Sequence, residues 1–111
     1  MRQYVIDDLS PMERDNIDSY LKRTLRRGPM IGLYWIVLPP EMLSESQQAH
    51  VEKCGPYYCG VEVEKYAVRF EMLVRSHANL HCECIAHATP AQRLFILDLA
   101  DKMLDEELIR S

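Results

Sequence analysis

The strongest constraint on the fold is a period-two alternation of apolar residues that fills the middle of the chain and changes phase once. Val61 and Val63 occupy odd positions, whereas the apolar residues from Tyr66 onward occupy even positions. Such alternation is typical of half-buried strands. Both runs stay on one face if a two-residue hairpin lies at Glu64-Lys65, because that turn pairs Val63 with Tyr66 and Val61 with Val68. The sequence therefore predicts an antiparallel hairpin.

A third strand of the same meander is predicted from Leu80 to His87. Its inward residues would be Leu80, Cys82, Cys84 and Ala86. A three-residue loop, His77-Ala78-Asn79, places them on the same face as the preceding strand, because Asn79 supplies the left-handed turn residue. The expected pairs are Val74 with Cys82, Met72 with Cys84, and Phe70 with Ala86. A meander with one apolar face must pack on helices.

Three capping boxes mark helix starts, each with a hydroxyl residue followed three positions later by Glu or Gln. They are Ser10 with Glu13, Ser44 with Gln47, and Thr89 with Gln92. The predicted helices end at Gly28-Pro29, at Gly55-Pro56 and near Leu108. Between the first two, the apolar run Met30 to Leu38 predicts a strand buried on both faces near the sheet centre, and Tyr4-Val5-Ile6 predicts an edge strand. We expect an α+β fold: an antiparallel sheet of about four strands packed against three helices.

Composition excludes few classes of protein. The 111 residues, 48% apolar and 27% charged, are ordinary for one globular domain covering residues 1–111. The run Met30 to Leu38 is far shorter than the ~20 residues that cross a bilayer, and the N-terminus lacks a signal-peptide core. We expect a cytoplasmic protein with reduced thiols. The net charge of −4 gives no support for a nucleic-acid partner, and no membrane partner is expected.

The residues most suggestive of chemistry are the cysteines Cys54, Cys59, Cys82 and Cys84. In a regular strand, the Cα atoms of Cys82 and Cys84 would lie about 6.6 Å apart, whereas two sulfurs on a tetrahedral zinc ion are only about 3.8 Å apart. A shared ion therefore requires the strand to bend and Cys54 to reach in from the short helix, with His81 as a further ligand if the strand kinks. Cys59 is expected to lie a strand away. The predicted metal ligands are Cys54, Cys82 and Cys84, with zinc as the ion.

Three other interpretations stay open. The cysteines could be small apolar core residues. A thiol redox role is a second alternative, although Cys54-x4-Cys59 is not the usual Cys-x-x-Cys arrangement. The third is an enzyme using the charged sheet face, formed by Arg69, Glu71, Arg75, His81, Glu83 and His87. Because the chain has no phosphate loop and no nucleophile elbow, we assign no catalytic and no cofactor-binding residue and lean towards a protein that is not an enzyme.

The last helix carries a second apolar stripe near Phe95 and Leu99. Such a stripe is costly to leave in water, so it predicts a homodimer formed through this helix. The alternative is that this helix is central and that the short helix covers its other side.

The segments 52–57, 73–75 and 80–93 resemble those of small hypothetical bacterial proteins, and the resemblance spans most of the chain. It implies no activity, cofactor or substrate. We therefore expect a non-catalytic binding or regulatory module that self-associates. The alternative is a thiolate zinc protein that uses Cys54, Cys82 and Cys84.

Overall fold

In the computed structural model, residues 2–109 are described. They form an α+β fold with an antiparallel sheet, as the sequence predicts. The strands are β1 (Gln3–Ile6), β2 (Arg26–Arg27), β3 (Leu33–Val37), β4 (Tyr57–Val63), β5 (Val68–Glu71), β6 (Leu73–Ser76) and β7 (Ala86–His87). The helices are α1 (Pro11–Thr24), α2 (Glu45–Ala49), α3 (Val51–Cys54) and α4 (Pro90–Glu106), with a short 3-10 turn at Pro40–Met42.

The sheet contains more strands than the four or so that the sequence predicts. Its order is β1-β5-β4-β3-β2, while β6 pairs with the start of β4 and with β7. Residues 2–109 thus contain seven strands, because β2 and β7 have only two residues each and Met72 interrupts the predicted middle strand between β5 and β6. They contain four helices rather than three, because His50 separates α2 from α3.

One face of the sheet and the two long helices enclose the core. Alternate residues of β3 to β6 are buried, and α1 contributes Ile17 and Leu21 while α4 contributes Ile96 and Met103. These side chains belong to one hydrophobic cluster. The arrangement follows from the apolar face of each element, which is stable only when another element covers it.

The three predicted capping boxes are all present. The hydroxyls of Ser10, Ser44 and Thr89 accept hydrogen bonds from the backbone N–H groups of Glu13, Gln47 and Gln92. The first helix ends earlier than expected, at Thr24, because the chain after it turns into β2, and the last helix ends at Glu106, near the predicted Leu108. Among residues 2–109, no helix has both the length and the apolar character needed to cross a membrane.

The strand predicted from Met30 to Leu38 is shorter and covered on one face only. Met30 and Ile31 form the exposed tip of the β2–β3 connection, and β3 begins at Leu33. Tyr34 and Ile36 are buried, whereas the alternating Trp35 and Val37 are not. β4, rather than β3, is the middle strand of the order β1-β5-β4-β3-β2, and β1 forms the predicted edge.

The first hairpin has the predicted inward face at Val61, Val63, Val68 and Phe70 and a different register, and Tyr66, predicted inward, is 55% exposed. Val63 pairs with Val68 and Val61 with Phe70, so each partner lies two positions beyond the expected one. The connection is wider than two residues: the N–H of Glu64 donates to the carbonyl of Ala67 at 2.8 Å. A shift of two positions preserves the inward face, because side chains alternate with a period of two.

The second hairpin differs more. β6 pairs with β7 through Val74 with Ala86 and Leu73 with His87, so residues 77–85 form a loop instead of most of a strand. Val74 therefore does not pair with Cys82, and Leu80, predicted inward, is 73% exposed. The expected charged contacts change accordingly: Arg75 binds Glu71, and Arg69 binds Glu64. His81 and His87 are exposed and take no part in these two ion pairs, so the described residues give no support to the alternative of an enzyme that uses this charged face.

Candidate metal centre

Three of the four cysteines converge where the loop of residues 77–85 meets the end of α3. Cys54 is the last residue of α3 and is buried, as is Cys84, while Cys82 is partly buried. The sulfur atoms of Cys54, Cys82 and Cys84 all lie within 4.8 Å of one another. The structure therefore brings together the three residues that the sequence predicts as metal ligands.

The bend in the loop makes this convergence geometrically feasible. The Oδ1 of Asn79 accepts the N–H of His81 at 3.0 Å, and the N–H of Ile85 donates to the carbonyl of Cys82 at 3.1 Å. These turns shorten the Cα separation of Cys82 and Cys84 to 5.3 Å. The predicted strand would have held the two Cα atoms about 6.6 Å apart, so the loop supplies the bend that a shared ion requires.

The structure gives the three sulfurs two kinds of contact. Cys82 and Cys84 are paired as a disulfide, and the Cys54 thiol donates to the Cys82 sulfur at 2.6 Å. The same atoms can therefore exist as a disulfide with one thiol, or after two-electron reduction as three thiols. Three thiolates are a ligand set for soft or borderline ions such as zinc and copper(I).

Cys59 lies outside the cluster, as the sequence predicts. It is fully buried in β4, where its backbone partner is Ile36, and it is a free thiol. Continued along β4, the predicted hairpin register would pair Cys59 with Phe70, but Phe70 pairs with Val61. Burial, with a smaller contribution from the charge of Glu71, raises the pKa of the Cys59 thiol to about 12. A thiol with that pKa stays protonated and unreactive at neutral pH.

Hydrogen-bond donors surround the cluster sulfurs. The hydroxyl of Tyr57 lies 3.2 Å from the Cys84 sulfur and 3.0 Å from the carbonyl of Gln47, and its one proton is shared between these two acceptors. The backbone N–H of Cys84 points at the Cys82 sulfur at 3.5 Å. Burial, and then the nearby Cys54, raise the pKa of Tyr57, so this hydroxyl keeps its proton. Donors of this kind stabilise negative charge on sulfur.

A buried pair of glutamines ties the loop to two helix starts. The amide nitrogen of Gln47 donates to the carbonyl of Cys84 at 3.2 Å. Gln92 in turn donates to the side-chain oxygen of Gln47 at 2.9 Å and to the carbonyl of Met42 at 2.8 Å. Both glutamines are 1% exposed. Because each also closes a capping box, the helix starts and the cysteine loop form one hydrogen-bonded unit.

Ser76 fixes the other side of the cluster. This fully buried residue donates its hydroxyl to the carbonyl of Cys54 and accepts the N–H of Asn79 at 2.9 Å. It therefore joins the end of α3 to the start of the cysteine loop. Such partners orient the atoms that carry ligands and are often as important as the ligands themselves.

Sequence reasoning missed most of these supporting residues. Gln47 and Gln92 were identified only as helix caps, and the signal for a second role is that both are amides where Glu would cap equally well. An amide can donate as well as accept, whereas a buried carboxylate cannot donate. Tyr57 and Ser76 carried no such signal, because their roles depend on the loop that replaced the predicted strand.

No histidine or carboxylate joins the three sulfurs in the part of the chain that the structure describes. His81 and Glu83 flank Cys82 in the loop, and both are exposed. Comparisons of the chain with protein-family models, with curated proteins and with solved structures gave no significant match. The chemistry of this site therefore has to be inferred from its own geometry.

Proposed function

We propose that this protein is a non-catalytic metal-binding module in which the reduced thiolates of Cys54, Cys82 and Cys84 hold one zinc ion or a similar soft cation. The observation that carries the proposal is the convergence of three sulfurs within 4.8 Å from two separate elements. In tetrahedral zinc sites, sulfurs lie about 3.8 Å apart, so these positions suit a shared ion after small side-chain movements.

The surroundings of the cluster support a charged, reduced form. Three thiolates with one divalent cation leave a net charge of −1, which must be stabilised because Cys54 and Cys84 are only 3% and 1% exposed. The Tyr57 hydroxyl and the Cys84 N–H supply hydrogen bonds to two of the sulfurs. The fourth zinc ligand would come from solvent or from His81, which precedes Cys82 and is exposed.

Elemental analysis tests the proposal directly. Protein purified under reducing conditions without chelator should contain about one metal ion per chain. Separate Cys54→Ser, Cys82→Ser and Cys84→Ser variants should lose most of it. Cys59→Ser is the matched control, because it removes an equally buried thiol outside the cluster, and it should keep the metal. A reduced wild-type protein that is folded and metal-free, even after incubation with zinc, would contradict the proposal.

Self-association through α4 is our second candidate, and one observation favours it. Leu94 is 59% exposed on this helix, next to Phe95 and Leu99, which are only partly buried against the core. An apolar strip on a helix surface is a common dimer contact.

Sedimentation tests this candidate. We predict that Phe95→Glu converts a dimeric wild type into a folded monomer, while Leu108→Glu, a control at an apolar residue that is 90% exposed, leaves the mass unchanged. A wild type that is already monomeric would rule out the dimer.

A further inference from the structure

We propose that Cys82 and Cys84 form a peroxide-responsive disulfide switch, in which Cys82 reacts first and Cys84 closes the bond. The reaction itself does not depend on metal. Only its consequence, the release of a bound ion, rests on the proposed function.

The geometry suits a bond between Cys82 and Cys84. Cys82 and Cys84 lie in one loop with Cα atoms 5.3 Å apart, inside the range of about 4.4–6.8 Å that disulfides occupy. They are also the two sulfurs that the structure pairs. Because they are separated by a single residue, they stay close to each other even when the loop moves away from α3.

Exposure selects Cys82 as the reacting thiol. Cys54, Cys59 and Cys84 are all at most 3% exposed, whereas Cys82 is partly buried in a loop whose neighbours His81 and Glu83 face solvent. Oxidation of cysteine depends on access to the oxidant as well as on thiolate character. A small hydroperoxide therefore meets Cys82 first.

The chemistry balances with hydrogen peroxide as the oxidant. The Cys82 thiolate attacks one peroxide oxygen, the O–O bond breaks, and a sulfenic acid forms while the departing hydroxide takes up a proton to become water. The Cys84 thiolate then attacks the Cys82 sulfur, the S–O bond breaks, and a second water leaves. Two thiols lose two electrons, one peroxide gains them, and one disulfide is formed.

The neighbouring thiol of Cys54 offers a route from the disulfide back to the reduced cysteines. Its sulfur lies 2.6 Å from that of Cys82, so a Cys54 thiolate is placed to attack the disulfide and release Cys84. An external dithiol can then reduce the resulting bond and restore three thiols. Oxidation removes two of the three proposed ligands, and the single remaining thiolate of Cys54 cannot hold the ion.

Disulfide mapping tests the switch. Reduced, metal-free wild-type protein would be treated with hydrogen peroxide and its free thiols alkylated after denaturation, followed by mass spectrometry. We expect a Cys82–Cys84 disulfide with Cys54 and Cys59 alkylated, and oxidation of Cys82 at least about tenfold faster than that of the buried Cys59. Predominant oxidation of Cys59, or sulfinic acid at Cys82 without a disulfide, would overturn the proposal.

Two variants separate the steps. In the double variant Cys54→Ser/Cys84→Ser, which removes both thiols next to Cys82, the sulfenic acid should persist at Cys82 and be trapped by dimedone. In Cys54→Ser, the disulfide should still form although the proposed metal site is broken. Circular dichroism would establish that both variants are folded, and Cys59→Ser serves as the matched control with unchanged disulfide formation. No dimedone adduct in the folded double variant Cys54→Ser/Cys84→Ser would argue against Cys82 as the first site.

A measurement of zinc release distinguishes failure of the switch from failure of the proposed function. Zinc-loaded protein should release its zinc to a chromogenic chelator in parallel with disulfide formation. Disulfide formation in a protein that never binds zinc would support the switch and overturn the metal function. Zinc binding without any peroxide-induced disulfide would do the reverse.

Discussion

Cys59 and Cys84 are almost equally buried, at 0% and 1% exposed, but they lie in regions of opposite character. Cys59 is in the middle of β4, where the backbone ladder with β3 surrounds it. Cys84 is in an irregular loop, where Tyr57 donates to its sulfur and Gln47 to its carbonyl. The comparison shows that burial alone does not determine what a cysteine can do.

Backbone geometry explains the difference. A strand spaces residues on one face about 6.6 Å apart and sends the intervening side chain to the other face. A loop has no such spacing, so Cys82 and Cys84 approach each other and Cys54 joins them. In the loop, more backbone N–H and C=O groups have no hydrogen-bond partner on a neighbouring strand. The side chains that form hydrogen bonds with those groups also surround the sulfurs.

Zinc binding should produce the largest difference in stability between substitutions in the two regions. Without metal, Cys84→Ala and Cys59→Ala should each lower the free energy of unfolding by about 1 kcal/mol, because each removes one buried sulfur. With free zinc roughly 1,000-fold above its Kd, wild type and Cys59→Ala should both gain about 4 kcal/mol, and Cys84→Ala should gain little. Urea unfolding of the reduced proteins, with and without zinc, measures both the loss caused by each substitution and the gain caused by zinc. Equal zinc stabilisation of the two variants would remove the distinction between the two regions.

Loss of the glutamine pair should have the next largest effect. Gln92→Ala removes one of the two donors to the buried oxygen of Gln47, which keeps the N–H of Ser44, and takes away the side-chain donor to the carbonyl of Met42. We expect the metal-free protein to lose about 2–3 kcal/mol of unfolding free energy. We also expect zinc to bind about 10-fold more weakly, because Gln47 positions the carbonyl of Cys84.

Gln48→Ala is the matched control for this prediction. Its amide donates to the carbonyl of Leu43 at an exposed position, so the change should stay within about 0.5 kcal/mol. If Gln92→Ala costs no more than Gln48→Ala in urea unfolding, the irregular region does not depend on its side-chain hydrogen bonds.

Local sequence signals predicted the parts of the fold that depend on neighbouring residues. The capping boxes at Ser10, Ser44 and Thr89 are present because each needs only a hydroxyl and a partner three residues away. The inward face of the first hairpin is also right, since alternation fixes the face. Its register is not, because the width of the turn near Glu64 depends on contacts that alternation does not encode.

The cysteine loop shows where pattern reading fails. Leu80, Cys82, Cys84 and Ala86 alternate as a strand would, and in the structure Cys84 is buried while Leu80 and Ala86 are exposed. The turn depends on Asn79, Ser76 and Gln47, which lie up to 37 residues from Cys84 in sequence. Cys54, Cys82 and Cys84 could be predicted as shared metal ligands only on the condition that the chain bends between Cys82 and Cys84. No local sequence signal predicts that bend.

The sequence distances within the cluster have a consequence for chain entropy. A link from Cys54 to Cys82 spans 28 residues and encloses β4, β5 and β6, and closing a loop of that size restricts the unfolded chain by about 3–4 kcal/mol. The Cys82–Cys84 bond spans only two positions and encloses no structure. Thiol–disulfide exchange from the first link to the second would leave one cross-link in the chain while freeing the unfolded ensemble, so the Cys82–Cys84 form would unfold more readily than the Cys54–Cys82 form although each carries one disulfide.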